Sequence, residues 1–373
     1  MKNTFGSSVC LTIFGESHGP AIGAVLDGLC AGLPVDEAFI ARQMDKRRAR
    51  GDGLSTGRTE ADRVHLLSGV LNGRTTGTAI ALLIENKAQR SGDYAKTQDL
   101  LRPGHADFTA YAKYGGWQDS RGGGHFSGRI TAPLVAAGAI CQQVLAARGI
   151  TIATHIQAAA GVEDLPFAAD EPALMARQAA AVSAAAPEQL ALIDPAREES
   201  MRAAIRAAGA EGDSVGGILE TAVLGLPAGV GEPFFDSVES VLSHLLFSIP
   251  AVKGVEFGLG FGFAGLRGSQ ANDPFRMDEG RVVTATNHNG GVNGGIANGM
   301  PLVFRTAVKP TPSIYKPQQT VDYVAKRDAQ LQIQGRHDPC IVHRAAVVQT
   351  CAAALGLLDL LTTCEGTRSQ KED

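Results

Sequence analysis

The sequence predicts an α+β fold in packed layers, built as one interwoven domain with glycine-rich site loops. Three observations lead there. Strand-like runs outnumber the helices between them, whereas an alternating parallel sheet needs a crossover helix between strands. Asn72-Gly73 stands between the apolar runs 64–71 and 78–84, the strongest short hairpin signal, so antiparallel pairing is expected. Polar, glycine-rich loops recur from residue 15 to residue 338 with no linker or repeat of fixed period. If they build one site they must converge, which favours a single domain over residues 1–362 and a polar tail over 363–373.

Taken in order, residues 8–14 read as a strand running into Gly15-Glu16-Ser17-His18-Gly19-Pro20, and 21–29 as a second strand. Pro34 and Asp36 signal a helix start; that helix carries to about Arg48 and ends in the basic loop DKRRARGDGLSTGR. After the hairpin, 85–101 is polar and irregular. Pro133 sits in the first turn of an Ala-rich helix over 131–148, and 151–157 is a strand. Alanine with Glu and Arg dominates 170–210, which predicts two or three packing helices broken at Pro187 and Pro195. Strands follow up to about Leu226, at 255–263 and at 301–308, with an amphipathic helix at 236–247 between them. A final apolar helix runs from Cys340 to about Leu361.

The bulk numbers exclude several classes. An apolar fraction of 44% and a charged fraction of 19% describe a chain that buries a core. A net charge of −4 gives no general attraction to nucleic acid or acidic membranes, so any anion site must be local. The single tryptophan argues against stacking on single-stranded nucleic acid. The six cysteines form no CxxC pair and mostly lie in apolar runs, as expected of buried thiols in a cytoplasmic protein. The N-terminus lacks a signal-peptide layout.

The stretch 102–129, RPGHADFTAYAKYGGWQDSRGGGHFSGR, organises the rest. It has little aliphatic content and reads as a loop. Its glycines let backbone N–H groups approach a ligand, and its arginines offer planar forks for phosphate and carboxylate. It predicts a site for a small, multiply negative ligand; the plainer reading is a solvated surface loop. His18, His105 and Asp338 sit in similar loops beside a glutamate or an arginine, which points to proton transfer near neutral pH. Lys309 with Thr311 and Ser313 supplies a cation and two hydroxyls suited to a phosphate.

Other motifs fail. Gly260-x-Gly262-x-x-Gly265 matches the dinucleotide fingerprint, but the sequence after it does not read as a helix. Neither GxxxxGK[ST] nor GxSxG occurs. No recognised metal-ligand spacing is present, and nothing calls for a metal.

FGESHG, RPGHAD, RGGG…SGR, GDSVGG, SIPAVKG, NHNGGVNGG, KPTPS and GRHDPC occur in this order along nearly the whole chain. In this combination the sequence resembles the chorismate synthase family. The resemblance implies a β-α-β sandwich assembled as a homotetramer. It implies a carbon–oxygen lyase of the shikimate pathway that eliminates phosphate from 5-enolpyruvylshikimate 3-phosphate, net 1,4-anti, using reduced FMN without net redox change. The alternative from another class is a non-catalytic flavin- or phosphometabolite-binding protein on the same scaffold. Some members reduce FMN themselves with NADPH and others depend on an outside flavin reductase; the lack of a separate reductase domain favours the latter.

Residue by residue, the resemblance places Arg47, Arg102 and Arg129 at positions that hold the substrate, or NADP in members that bind it. His18 falls where a histidine protonates the departing phosphate, and His105 where one balances the reduced flavin anion. Asp338 falls where a carboxylate works with the flavin in taking the C6 proton. The flavin positions are His125, Phe126, Ser127, Pro250, Ala251, Gly294, Lys309, Pro310, Thr311, Pro312, Ser313 and Arg336. Here the chain departs from the common pattern: many members have Arg-Ser-Ser at His125-Phe126-Ser127 and Asn at Pro250. An arginine usual near Gly53 is missing, with Arg50 or Arg58 as its replacement. A histidine in place of an arginine makes the local charge pH-dependent.

Overall fold

The structure, a computed structural model, describes residues 2–57, 61–87, 99–333 and 337–369. Its main strands form two five-stranded antiparallel sheets. The first contains β1 (Thr4–Phe5), β2 (Cys10–Gly15), β3 (Ala21–Asp27), β4 (Val64–Leu66) and β5 (Ile80–Glu85), in the order β1-β2-β3-β5-β4. The second contains β6 (Thr151–Ala159), β7 (Val162–Glu163), β8 (Gly217–Leu224), β9 (Val252–Phe257) and β10 (Leu302–Val308), in the order β9-β10-β8-β6-β7. The expected hairpin is present: Val70–Leu71 pairs with Arg74–Thr75 around Asn72-Gly73, and β4 pairs with β5 beyond it.

The helices, in order, are α1 (Glu37–Arg47), α2 (Asp107–Tyr114), α3 (Thr131–Ala146), α4 (Pro172–Ala184), α5 (Glu198–Ala210), α6 (Val238–Ser248) and α7 (Val342–Arg368). Asp36 caps α1, its carboxylate accepting from the N–H groups of Ala38 and Phe39. The Ala-rich α3 and the apolar α7 pack on each other and lie between the sheets, α3 against β3 and β5, α7 against β6 and β8. The layers are therefore sheet, helices, sheet. Close approach of these helices requires Gly138, where a Cβ would fall 2.5 Å from the Cβ and carbonyl oxygen of Cys351. One hydrophobic cluster runs from Val9 through both sheets to Leu361. A smaller one, with Phe167, Met175 and Val182, fills the far side of the second sheet.

Two helical segments, Gly128–Ala146 and Val342–Thr367, are long and apolar enough to cross a membrane, yet 72% and 89% of their apolar windows are buried within the protein. They are core helices. Cys141, Cys340, Cys351 and Cys364 are buried free thiols; burial pushes Cys141 up to about 12 and Cys340 to about 11.

Four segments differ from the sequence reading. The stretch 102–129 contains α2, because Ala110 packs inward and Gly115, at φ +62°, ends the helix in the left-handed region. Hairpins at Phe275–Asp278/Arg281–Thr284 and Gln318–Asp322/Arg327–Leu331 were not expected; the strands of the first are only four residues each, and those of the second carry few apolar residues. The segment after Gly265 holds a single helical turn, Gly268–Ala271, too short to serve a dinucleotide fingerprint.

Candidate active site

The loops at the ends of these elements meet at one cleft of about 850 Å³, within the range of small-molecule sites. Arg47 comes from the end of α1, Arg102 and His105 from the loop before α2, and Arg129 from the entry to α3. Lys309, Thr311, Pro312 and Ser313 follow β10, while His337, Asp338 and Arg344 lead into α7.

The loop contacts are specific. Lys309 Nζ donates to the carbonyl of Gly104 at 2.5 Å, tying the segment after β10 to the His105 loop. The Ser214 hydroxyl donates to the Thr311 carbonyl at 2.7 Å, so GDSVGG supports this segment from behind. Asp338 is held from two sides: its Oδ1 accepts from the Thr56 N–H at 2.7 Å and its Oδ2 pairs with Arg344 Nη1 at 2.5 Å. Arg344 also donates from Nε to the Arg47 carbonyl at 2.7 Å, linking α7 to the end of α1.

His18 and His105 flank one glycine turn. A Cβ at Gly122 would fall 2.1 Å from Cε1 of His18, and one at Gly123 would fall 3.2 Å from Cε1 of His105. Both glycines have positive φ, +59° and +84°. The Ser17 N–H donates to the Gly124 carbonyl at 3.1 Å and fixes the two loops together. His18 is buried under this turn, whereas His105 lines the cleft.

Each arginine at the cleft has a carboxylate partner. Arg102 makes a bidentate pair with Asp107, Nε to Oδ2 at 2.8 Å and Nη2 to Oδ1 at 2.7 Å. Burial alone would raise Asp107, but hydrogen bonds from Arg102 and His105 hold its carboxyl well below the usual carboxylate range. Arg47 and Arg129 share Asp62. His337 is pushed down to about 4 by burial and by the charge of Arg102, so it faces the cleft as a neutral ring.

Among the expected flavin residues, His125, Phe126, Ser127, Pro250, Ala251, Lys309, Thr311, Pro312 and Ser313 line this same cleft. His125 Nδ1 lies 3.1 Å from the Gly15 carbonyl, which it reaches as a donor. Pro310 does not line the cleft; its ring packs against Gly216. Gly294 lies in the turn of the small Val292–Asn293/Ile296–Ala297 hairpin, with open space around it, and is not among the lining residues. The NHNGGVNGG loop around it is organised instead by Asp273, which accepts from the N–H groups of His288 and Asn289. Arg336 and Arg58 lie outside the described residues. Arg50 turns away, pairing with Asp45 at 2.9 Å. Asp62, Asp107, His337 and Arg344 escaped the sequence reading. For Asp107, His337 and Arg344 a signal existed: each stands within six residues of a residue already singled out.

The comparisons with known proteins agree with this convergence. A sequence model described as chorismate synthase matches residues 9–362. The chain belongs to the chorismate synthase family. A chorismate synthase of Dehalococcoides mccartyi is 46% identical over 361 residues, covering 96% of each chain. One of Aeropyrum pernix is 45% identical over 360 residues, covering 96% of this chain and 93% of its own. A crystal structure of chorismate synthase superposes with a TM-score of 0.73 at 27% identity, covering 98% of this chain and 99% of that one. Membership in the chorismate synthase family makes the antiparallel sheet–helix–sheet layering that of a known enzyme scaffold and implies lyase activity.

Proposed function

We propose that this protein eliminates phosphate from 5-enolpyruvylshikimate 3-phosphate to give chorismate, in the shikimate route to aromatic amino acids. The observation that carries the reading is the convergence of Arg47, Arg129, His105, Lys309 and Asp338 on one cleft. A substrate with one phosphate and two carboxylates needs such local positive charge in a chain of net charge −4.

The cleft residues fit a reduced FMN. Thr311 Oγ1 and His337 Nε2 are buried polar atoms without a hydrogen-bond partner, and such atoms ask for a ligand. Lys309 with Ser313 suits the flavin phosphate, and Pro250, Ala251 and Phe126 suit the ring. When bound, the reduced flavin would lend electron density to the allylic system and recover it, so that no net oxidation results.

The protein's own residues do the remaining work. The arginines hold the anionic groups and stabilise charge as phosphate departs. His18 lies behind the cleft-lining Gly122 rather than in the cleft wall itself; from there it would give its proton to the leaving phosphate. His105, oriented by Asp107, would balance the charge of a bound reduced flavin. Asp338, held by Thr56 and Arg344, accepts the C6 proton at its carboxylate.

The continuous core from Val9 to Leu361 supports a single domain over residues 1–362; an outside flavin reductase is the proposed source of electrons. Exposed apolar side chains support a homotetramer: Phe234 and Phe235 are 93% and 90% exposed, and Phe275, Met277 and Val282 crowd one exposed hairpin. Buried free thiols suit a cytoplasmic setting. The test is turnover with anaerobically reduced FMN, with and without NADPH. Phosphate release with the flavin still reduced at the end supports the lyase; net flavin oxidation, or binding without release, rejects it. Turnover sustained by oxidised FMN and NADPH alone would reject the outside reductase.

A further inference from the structure

Asp62 is buried between Arg47 and Arg129. Its Oδ2 lies 3.0 Å from Nη1 of Arg47, and its Oδ1 contacts Nη1 of Arg129. All three side chains are more than nine-tenths buried, yet all three line the cleft. The other hydrogen-bonding groups around the two guanidiniums include the Thr131 hydroxyl, the Asn86 amide oxygen, and the carbonyls of Gly128 and Glu85. Asp62 is the carboxylate that the two guanidiniums share. The backbone at Asp62 has φ +46°, a left-handed conformation uncommon for a residue with a side chain and often held at functional sites.

We infer that Asp62 is a built-in counter-anion that sets how tightly the arginine pair holds phosphate. Asp62 takes one unit from the positive charge that the two guanidiniums present to the cleft. This rests on the function proposed above, in which phosphate is first a substituent of the substrate and then a free product. On the substrate it has further anchors through the carboxylates. Once released it has only the arginine group, and the carboxylate beside it weakens that hold and lets it leave. Asp62 is in this sense a positioning residue: it fixes both guanidiniums in place and limits their pull.

The experiment is calorimetric titration of wild type, Asp62→Asn and Asp62→Glu with inorganic phosphate, alongside turnover assays and thermal melts. Asp62→Asn is expected to bind phosphate about tenfold or more tightly and to lose kcat through slow product release, with KM unchanged or lower. Asp62→Glu, which restores the charge on a longer arm, is expected to return phosphate affinity to within about threefold of wild type. Phosphate affinity in folded Asp62→Asn that equals or falls below wild type overturns the inference. If Asp62→Asn does not fold, Asp62→Ser decides in the same way: phosphate affinity about tenfold or more above wild type supports the inference, and affinity equal to or below wild type overturns it. Phosphate titration does not depend on turnover. A wild type that fails to release phosphate from substrate therefore rejects the proposed reaction separately.

Discussion

His105 Nδ1 lies 2.7 Å from Asp107 Oδ1, and the same carboxylate grips Arg102. The imidazole is thereby fixed as a donor at Nδ1, with the opposite edge of the ring turned to Gly123 and the cleft. Arg102 is in this arrangement a brace for the histidine through Asp107. Orienting carboxylates of this kind act by fixing tautomer and ring direction.

Asp107→Asn should therefore lower kcat by about 10- to 100-fold, with reduced-FMN affinity changed far less. Steady-state kinetics and flavin titration under anaerobic conditions check this. A normal kcat would leave His105 without need of its partner.

Gly122→Ala should be close to inactive. The added methyl meets the His18 ring, and the φ of +59° is strained for any side chain. A stability loss of about 1–3 kcal/mol is expected, together with a fall in phosphate release of about 100-fold or more, the scale of a lost proton donor. Gly149→Ala, at φ +75° with open space around it, is the control for strain alone and should keep its activity.

Much of this was legible in the sequence. Antiparallel layering followed from Asn72-Gly73 and from strand runs without crossover helices. The α1 start was visible in Asp36, and the core helices in the apolar runs after Ile130 and Cys340. The loops that line the cleft announced themselves as glycine beside Arg, His or Lys. Less legible were the pairings across long separations. Nothing near Arg47 in the chain names Asp62, and nothing near Asp338 names Thr56. A composition-based reading also cannot separate a glycine that admits a ligand from one that admits another loop. Gly290 and Gly291 of NHNGGVNGG are of the second kind: a Cβ at Gly290 would meet the backbone of Gly258 and Val303, and one at Gly291 the backbone of Pro301.

Two buried histidines should tilt stability with pH in opposite directions. Burial, then the charge of Arg344, pushes His343 down to about 4. Its contribution is complete above the unfolded value of 6.5 and is lost as pH falls toward 4. For His155, burial acts to lower the ring, but hydrogen bonds to Asp164 and Glu220, at 3.1 and 2.9 Å, outweigh it and raise it. Its contribution is complete below 6.5 and fades as pH rises through the folded value. Denaturant unfolding of His343→Gln between pH 4 and 7 should show a shallower acid loss, by about 1–3 kcal/mol. His155→Gln should cost most near pH 6 and progressively less at alkaline pH. Parallel curves for wild type and variants would contradict both assignments.

Assembly should depend on the exposed hairpin. Phe275→Ser with Met277→Ser, on adjacent same-face positions of one strand, should lower the mass measured by light scattering below that of four chains while leaving the melt of each chain cooperative. An unchanged tetramer would place the interface elsewhere.

The central claim is that this cleft performs the elimination, and single-turnover phosphate release by Asp338→Asn tests it most directly. With anaerobically reduced FMN and 5-enolpyruvylshikimate 3-phosphate, the variant should release phosphate about 100-fold or more slowly than wild type while binding FMN within about threefold of it. Release at the wild-type rate by a folded, flavin-loaded Asp338→Asn would contradict the account.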